Sequence, residues 1–269
     1  ITNINASHLE GLNDLDGVLH EKLDLFRLTE KGGKVLINAD DPLIGASYND
    51  EGHTPYTFGI VNKADFRLGI DEDLGWEGYR ITLSFPSGDA VAVRTNLLGR
   101  HNLYNILAAS SMACLVGITP ANIREGIEHF TSYSMRFKPV KSEKGYIVVD
   151  DSYNANPSSM EWAIDTVGNL PCSGKRFAVL GDMKELGDKT VYYHRELGRS
   201  LKDSRMDRIF LVGHHMKEAF NELGNNGAQL FEDQTLLIDS LRKQVGPGDV
   251  ILVKGSRAAK MEEIVEALV

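Results

Sequence analysis

The chain has 269 residues, 42% of them hydrophobic and 25% charged, the balance of an ordinary globular protein, so disorder is excluded. At roughly 100 to 200 residues per domain that length holds one or two domains. The net charge of -9 argues against a nucleic-acid backbone or an anionic membrane as partner, though not against a small anion in a local basic pocket.

In chain order, the opening ITNINASHLEG carries no initiator Met and no cap or turn before a β-like triplet, as expected of a chain entered in mid-domain. Nothing in it resembles a signal peptide. Residues 14 to 30 set Leu15, Val18, Leu19, Leu23 and Phe26 at helical spacing, and Lys31-Gly32-Gly33 ends the run. The strand VLIN follows. From about 55 to 95 the segments YTFGI, DFRLGI, YRITLSF and AVAVRT alternate and are parted by Gly, Pro, Asn and Asp, the pattern of a small antiparallel sheet. Gly99-Arg100-His101-Asn102 then opens a long apolar run, which Asn105, Ser110 and Ser111 interrupt; it reads as a buried helix and not as a membrane span.

After Arg136 strands alternate with helices. The strands are YIVVDD, RFAVLGD, RIFLVG, AQLF and DVILVKG, and the helices span 157 to 169, 190 to 203, 215 to 223, 233 to 245 and 256 to 268. That order predicts a parallel sheet covered on both faces, whose ligands gather at the carboxyl ends of the strands, where Asp150 and Asp151 stand. Asn156-Pro157 caps and starts the next helix. The fold class is α/β, divided near residue 136 into segments 1-136 and 137-269. Cys114 and Cys172, with no CxxC spacing, fit a reduced cytoplasmic chain.

Several polar groups could carry chemistry. Asp151, at a strand end, can accept hydrogen bonds from both hydroxyls of a ribose; alternatively the two aspartates only cap a turn. His101-Asn102-x-x-Asn105 sets two amides one turn apart, able to read the edge of a base unless they are caps. Lys254, Ser256 and Arg257 stand at the start of the helix predicted over 256 to 268, where backbone N–H groups favour an anion; a solvated basic turn is the competing view. His8 is followed fourteen residues on by Lys22, with Glu10, Glu21 and Asp24 nearby, although a lone His and a helix Lys are usually surface residues. His214 and His215 are adjacent, diverge, and have no third metal ligand near in sequence. Gly174-Lys175 misses the G-x-x-x-x-G-K-[ST] spacing, and no phosphate-binding loop of that form exists in the 269 residues. The absence of G-x-G-x-x-G speaks against a dinucleotide-binding dehydrogenase.

Five motifs stand in one order along essentially the whole chain: AxHLEG with Lys22 behind it, GRHNxxNxLAA, DDSYNANPxSM, VLGDMxELG followed by His194, and LVKGSRxxxMExxV. Together they resemble the Mur ligases of peptidoglycan synthesis. DSYNAN and KGSR resemble the branch that adds D-Ala-D-Ala more than the diaminopimelate- or lysine-adding members, which carry a D-Y-A-H-type sequence, or the folylpolyglutamate synthases, which lack SYNAN.

The resemblance implies an ATP-dependent ligation. The terminal carboxylate of UDP-N-acetylmuramoyl-tripeptide is phosphorylated, and the amine of D-Ala-D-Ala attacks the acyl phosphate, with Mg2+ assisting phosphoryl transfer. By residue matching, His8 is a metal ligand and Lys22 is the lysine that becomes a carbamate, an oxygen ligand of the kind Mg2+ prefers. Asn102 and Asn105, with His101 beside them, hold adenine and ribose. Arg136, in the linker, reaches the ATP phosphates when the domains close, and Asp151 binds the ribose. Tyr153, Asn154 and Asn156 line the adjacent cleft, and Lys254, Ser256 and Arg257 face the substrate. The implied architecture is the second half of a central domain, a parallel sheet remnant with a small antiparallel sheet beside it, followed by a Rossmann-like C-terminal domain.

One departure stands out. The family's uridine-binding domain and its G-K-[ST]-T phosphate loop have no counterpart in these residues, so the chain by itself is expected to be inactive while a longer parent, cytoplasmic and monomeric, is active. The alternatives are a non-catalytic nucleotide- or partner-binding module of the same family, or a Mur-type ligase with a different amine substrate.

Overall fold

A computed structural model describes residues 1–47, 53–224 and 227–269. They form two compact units, one from Ile1–Asn5 and Leu12–Thr131, the other from Ala6–Gly11 and Ser132–Val269.

The one-turn helix α1 (Leu9–Leu12) leads into α2 (Leu15–Arg27), which starts where the Asp14 side chain accepts the Gly17 N–H at 2.9 Å. Next come β1 (Leu36–Asn38), α3 (Pro42–Ser47), β2 (Tyr56–Gly59), β3 (Phe66–Asp73), β4 (Tyr79–Ser84), β5 (Ala90–Thr95), α4 (Arg100–Leu115) and α5 (Pro120–His129). The five strands make one sheet in the order β1-β2-β3-β4-β5. YTFG departs from the antiparallel grouping expected of it. It reaches β1 through the helix α3, so β2 runs parallel to β1, and it also meets the start of β3 in parallel. Only β3, β4 and β5, joined by tight turns, are antiparallel. The parallel and antiparallel parts are therefore one continuous mixed sheet.

Alternation along β4 turns Tyr79, Ile81 and Leu83 inward while Arg80 stays exposed. These side chains meet Leu103, Ile106 and Leu107, which recur at helical spacing on α4, in a core with Phe58 and Phe66. A polar clasp sets the position of α4. The Asp40 carboxylate, just past β1, accepts the N–H groups of Ile60, Val61 and Asn62 at 2.6, 3.0 and 2.7 Å and the Tyr104 hydroxyl at 2.9 Å. Burial pushes the Asp40 pKa up, but the donors outweigh it and hold the carboxylate below its ordinary range. Burial and then that same bond push the Tyr104 phenol up to about 12.

The second unit contains β6 (Lys138–Lys141), β7 (Ile147–Asp151), α6 (Pro157–Asn169), β8 (Arg176–Gly181), α7 (Thr190–Lys202), β9 (Arg208–Val212), α8 (Met216–Leu223), β10 (Ala228–Phe231), α9 (Gln234–Arg242), β11 (Val250–Lys254) and α10 (Glu262–Leu268). The sheet order is β10-β9-β8-β11-β7-β6, parallel throughout except for β6 at one edge. β6 was not expected from its sequence: KPVK is charged, exposed and holds a proline, which suits an edge strand and hides it in the sequence. Phe177, Phe210, Ile251 and Tyr146 pack with Leu237, Leu241 and Ile264 of α9 and α10 on one face of the sheet.

The helix expected over 256 to 268 is broken. Residues Arg257–Ala259 form a single 3-10 turn, Lys260 is left-handed with φ 48°, and α10 begins only at Glu262. Met261, fully buried, causes the break: it lies so close to Gly181 and Gly255 that a Cβ on either would come 2.6 Å from its side chain. Two glycines at the ends of β8 and β11 let the methionine in, and the chain leaves the helical path to deliver it.

Gly78, in the β3–β4 turn, has φ 86°, and a Cβ there would sit 2.0 Å from the Thr95 carbonyl oxygen. Gly88, φ 91°, has open space around it. Gly78→Ala is therefore expected to cost about 2 kcal/mol or more and Gly88→Ala only about 1 to 2 kcal/mol from its backbone angle. Denaturant unfolding of the two variants checks the order; equal losses would show that the Thr95 contact relaxes freely.

Candidate functional site

At the carboxyl edge of the second sheet, Asp151 ends β7 and Lys254 ends β11, and the two are register partners. Paired residues on neighbouring strands project to the same face. The Lys254 Nζ accordingly reaches Asp151 Oδ2 at 2.6 Å and donates also to the Asn154 carbonyl at 2.9 Å. Only 3% of the lysine side chain and 16% of the aspartate side chain are exposed. Burial pushes the Asp151 carboxyl up and the Lys254 ammonium down, and in both cases the attraction of the partner opposes the shift.

The neighbouring aspartate completes a clasp. Asp150 Oδ2 accepts the N–H of Met135 at 2.9 Å, and Asp151 Oδ1 accepts that of Phe137 at 3.1 Å. Met135 and Phe137 both hold left-handed angles, φ 63° and 50°, which cost about 1 to 2 kcal/mol each in a residue with a Cβ. Arg136, between them, is exposed, and its guanidinium lies over the Tyr153 ring, 3.8 Å from the centroid. The Tyr153 N–H donates back to the Met135 carbonyl at 3.2 Å. The segment 150 to 153 thus holds the 135 to 137 turn from both sides. Asn154 Oδ1 accepts the N–H of Ala155 at 2.9 Å. Asn156 is committed to a capping box with Ser159 at the start of α6, so helix capping occupies its side chain.

Two strands away, Asp182 follows β8. Its Oδ1 accepts the N–H groups of His215 and Met216 at 3.0 and 3.1 Å, its Oδ2 meets Lys184, and its carbonyl accepts the Ser256 N–H at 3.0 Å. Asp182 therefore ties the ends of β8, β9 and β11 together. His194 is wholly buried on α7, accepting the Met183 N–H at Nε2 and facing the Thr190 carbonyl with Nδ1 at 2.7 Å, which makes it the neutral Nδ1–H tautomer. His215 stands with its ring centroid 5.5 Å from that of His194 and 4.9 Å from that of His214.

The anion site expected at Lys254, Ser256 and Arg257 takes a different form. With the helix broken there is no macrodipole behind it, and the Lys254 charge is spent on Asp151. Ser256 is buried, and its Oγ has no hydrogen-bond partner among the described residues. Arg257 is exposed and pairs with Glu262 at 2.7 Å.

In the first unit, Asn102 and Asn105 face the same way on the first turns of α4. Nδ2 of Asn105 donates to Oδ1 of Asn102 at 3.3 Å, and Asn102 donates to the Leu98 carbonyl at 2.8 Å. His101 beside them is half-buried. Lys22 on α2 donates to the Asn3 carbonyl at 2.7 Å, and burial, opposed by nearby Asp41, pushes its ammonium pKa down. His8, left-handed and exposed, belongs to the other unit, where Nδ1 pairs with Glu185 at 2.5 Å. No cluster of three His, Cys, Asp or Glu able to hold a metal occurs among the described residues.

Comparison with known proteins follows the same division. The description of the Mur ligase middle domain matches residues 1–113, and that of the Mur ligase glutamate ligase domain matches residues 135–257. The chain belongs to the Mur ligase family. It is 33% identical over 279 residues to UDP-N-acetylmuramoyl-tripeptide--D-alanyl-D-alanine ligase of Escherichia coli and 30% identical over 273 residues to the ligase of the same name from Bacillus subtilis. All of this chain aligns, against 59% and 58% of those proteins' lengths, so it spans somewhat more than half of each. The crystal structure of MurF from Acinetobacter baumannii superposes with a TM-score of 0.87 at 27% identity, covering 100% of this chain and 58% of that one.

In this Mur ligase chain, then, Arg136, Asp151, Tyr153, Asn154 and Lys254 come together within the second unit. Asn102 and Asn105 pair within the first, and His8 and Lys22 belong to different units. Asp182 had no role in the sequence reading. VLGD ends a buried strand in a carboxylate just as IVVDD does, and that shared pattern could have drawn attention to it.

Burial holds the His194 pKa below the usual histidine value of about 6.5, against the opposing pull of Thr190 and Asp182 and together with His215 and Lys184. The unfolded chain therefore takes up a proton that the native chain refuses, and the stability present above about pH 6.5 is lost as pH falls. His194→Gln should flatten the loss of unfolding free energy between about pH 7 and 5 relative to wild type. Parallel pH curves for the two proteins would refute this.

Proposed function

We propose that the protein carrying this chain is a cytoplasmic, monomeric ATP-dependent ligase that joins D-Ala-D-Ala to UDP-N-acetylmuramoyl-tripeptide, the reaction stated in the names of its relatives. Among the described residues no helix is long and apolar enough to cross a membrane. Residues 1-136 would be the later part of the ATP-binding central domain and 137-269 the C-terminal domain. The observation that carries the reading is the clasp at the carboxyl edge of the second sheet, which presents an exposed guanidinium beside a positioned carboxylate.

An oxygen of the tripeptide's terminal carboxylate attacks the γ-phosphorus of ATP, and ADP leaves. The amine of D-Ala-D-Ala then attacks the acyl carbon, phosphate leaves, and the new amide nitrogen loses its proton. Asp151 keeps lone pairs for the ribose hydroxyls, Arg136 supplies fixed positive charge to the phosphates, and Asn102, Asn105 and His101 offer polar groups to the base. Tyr153, Asn154 and Arg257, all exposed, face the peptide substrate, and the Ser256 hydroxyl lies buried next to Arg257 in the chain. Asn156 contributes by fixing the start of α6.

His8 and Lys22 alone do not make a magnesium site, because Mg2+ requires octahedral oxygen-rich coordination and neither an ammonium nor one imidazole provides it. Burial shifts the Lys22 ammonium pKa downward, in the direction of the neutral amine that captures carbon dioxide to become a carbamate.

In the full-length protein, phosphate release from ATP should require both the tripeptide substrate and D-Ala-D-Ala. Arg136→Ala should lower kcat/KM by about 10²- to 10³-fold, the usual size of losing one fixed charge-stabilising group. The 269 residues alone, without a phosphate-cradling loop, should release none. Turnover that ignores D-Ala-D-Ala would sink the substrate assignment.

A further inference from the structure

The resemblance treats Lys254 as a group that faces substrate, yet its surroundings leave it little freedom to do so. The ammonium has three N–H donors; one goes to Asp151 Oδ2 at 2.6 Å and one to the Asn154 carbonyl at 2.9 Å, and 3% of the side chain is exposed. The third N–H is enclosed with the rest of the side chain, and an external anion that pulled the ammonium toward itself would break a buried ion pair and leave Asp151 uncompensated. Asp151 in turn is held at both oxygens, Oδ2 by Lys254 and Oδ1 by the Phe137 N–H, one residue beyond Arg136.

We propose that Lys254 is a positioning residue for the nucleotide: through Asp151 it keeps the carboxylate ionised and oriented toward the ribose and keeps the 135 to 137 turn presenting Arg136. This rests on the ligase reading above. Without the ammonium, Asp151 would sit in a buried place with one N–H donor and the more distant Arg136 as compensation, and burial would favour its protonated form. A neutral carboxyl would then offer the ribose a donor where two acceptors are required. The link to Asn154 fixes the turn after β7, so the lysine sets the shape of the loop as well as its charge.

The experiment uses the full-length protein as wild type, Lys254→Met, Lys254→Arg, Asp151→Asn and Asp151→Asn/Lys254→Met. The dissociation constant for ATP is measured by calorimetry, and KM for D-Ala-D-Ala and for the tripeptide substrate by phosphate release. Lys254→Met should weaken ATP about tenfold or more while both KM values stay within about twofold, and it should add nothing on the Asp151→Asn background. Lys254→Arg, which keeps the charge, should recover part of the loss. The double variant removes both charges together and is expected to fold even where Lys254→Met does not, so comparing it with Asp151→Asn and Lys254→Arg with wild type still decides the matter. Unchanged ATP affinity with a raised KM for the tripeptide substrate would overturn the proposal and return Lys254 to the substrate. An equal loss of ATP affinity with and without Asp151 would overturn it as well. A wild-type protein that binds no ATP would overturn the ligase reading itself, an outcome seen before any variant is made.

Discussion

An ammonium cannot be buried without a partner, and the carboxyl edge of the second sheet is organised around that constraint. Lys254 lies at the end of β11, between β8 and β7 in the sheet, where a lone charge would be driven to its neutral form. Its register partner on β7 is an aspartate, so the parallel pairing that builds the sheet also delivers the counter-ion. A shift of the register by one residue would turn Asp151 to the opposite face, away from Lys254 and from the Phe137 N–H that it accepts. Sheet register and charge pairing therefore select the same arrangement, and agreement between levels of this kind lets a sequence specify one structure. A buried pair adds little net stability over an apolar substitute, so its presence points to the placement of Asp151 and not to stability.

The strain beside this pair follows from it. Two non-glycine residues in the left-handed region would relax if nothing opposed them, and Met135 and Phe137 flank a single exposed arginine. What opposes relaxation is the pair of carboxylates at the end of β7, each taking one N–H from the turn, together with the burial of Phe137. The opposition works because Asp150 is occupied by Ser152 on its other oxygen and Asp151 by Lys254, so neither is free to swing away. The doubled aspartate thus does more than either sequence interpretation of it, ribose acceptor or turn cap. It caps a turn distant in sequence, and that turn carries the arginine.

The sequence made the second unit legible because its signals are local. Continuous apolar runs bounded by polar residues marked β7, β8, β9 and β11, and Asn156-Pro157 marked the start of α6 to the residue. What escaped was decided by groups far apart in the chain. Nothing in KPVK announces a strand until β7 offers it an edge, and nothing in KGSRAAKMEE announces a break until Gly181, about 80 residues upstream, admits Met261. Likewise YTFG alternates as an antiparallel strand does, and only the α3 connection makes it parallel. Of the candidate site, the residue types were legible, whereas their engagements were not. Lys254 reads as a free basic group at a helix start, and only the register with Asp151 shows its charge to be committed; Asn156 reads both as a helix cap and, by resemblance, as cleft lining, and the capping box commits its side chain to the first.

The two ends of this edge differ in their electrostatic conditions. On the β7 side the charges are buried, close and little affected by dissolved ions, so Asp151 holds its state in a field set by the protein. On the far side of β11 the groups are a buried neutral hydroxyl, Ser256, and an exposed arginine, Arg257, paired with Glu262, whose side chain is only 21% exposed. A ligand that displaced Asp151 from Lys254 would give up a great deal, because it would leave a buried charge uncompensated. The β7 side suits a ligand that must meet the same fixed acceptor at every turnover, as a ribose does. Asp182 joins the two sides, because its carbonyl holds the Ser256 N–H while its carboxylate caps α8, so both are anchored to the same sheet.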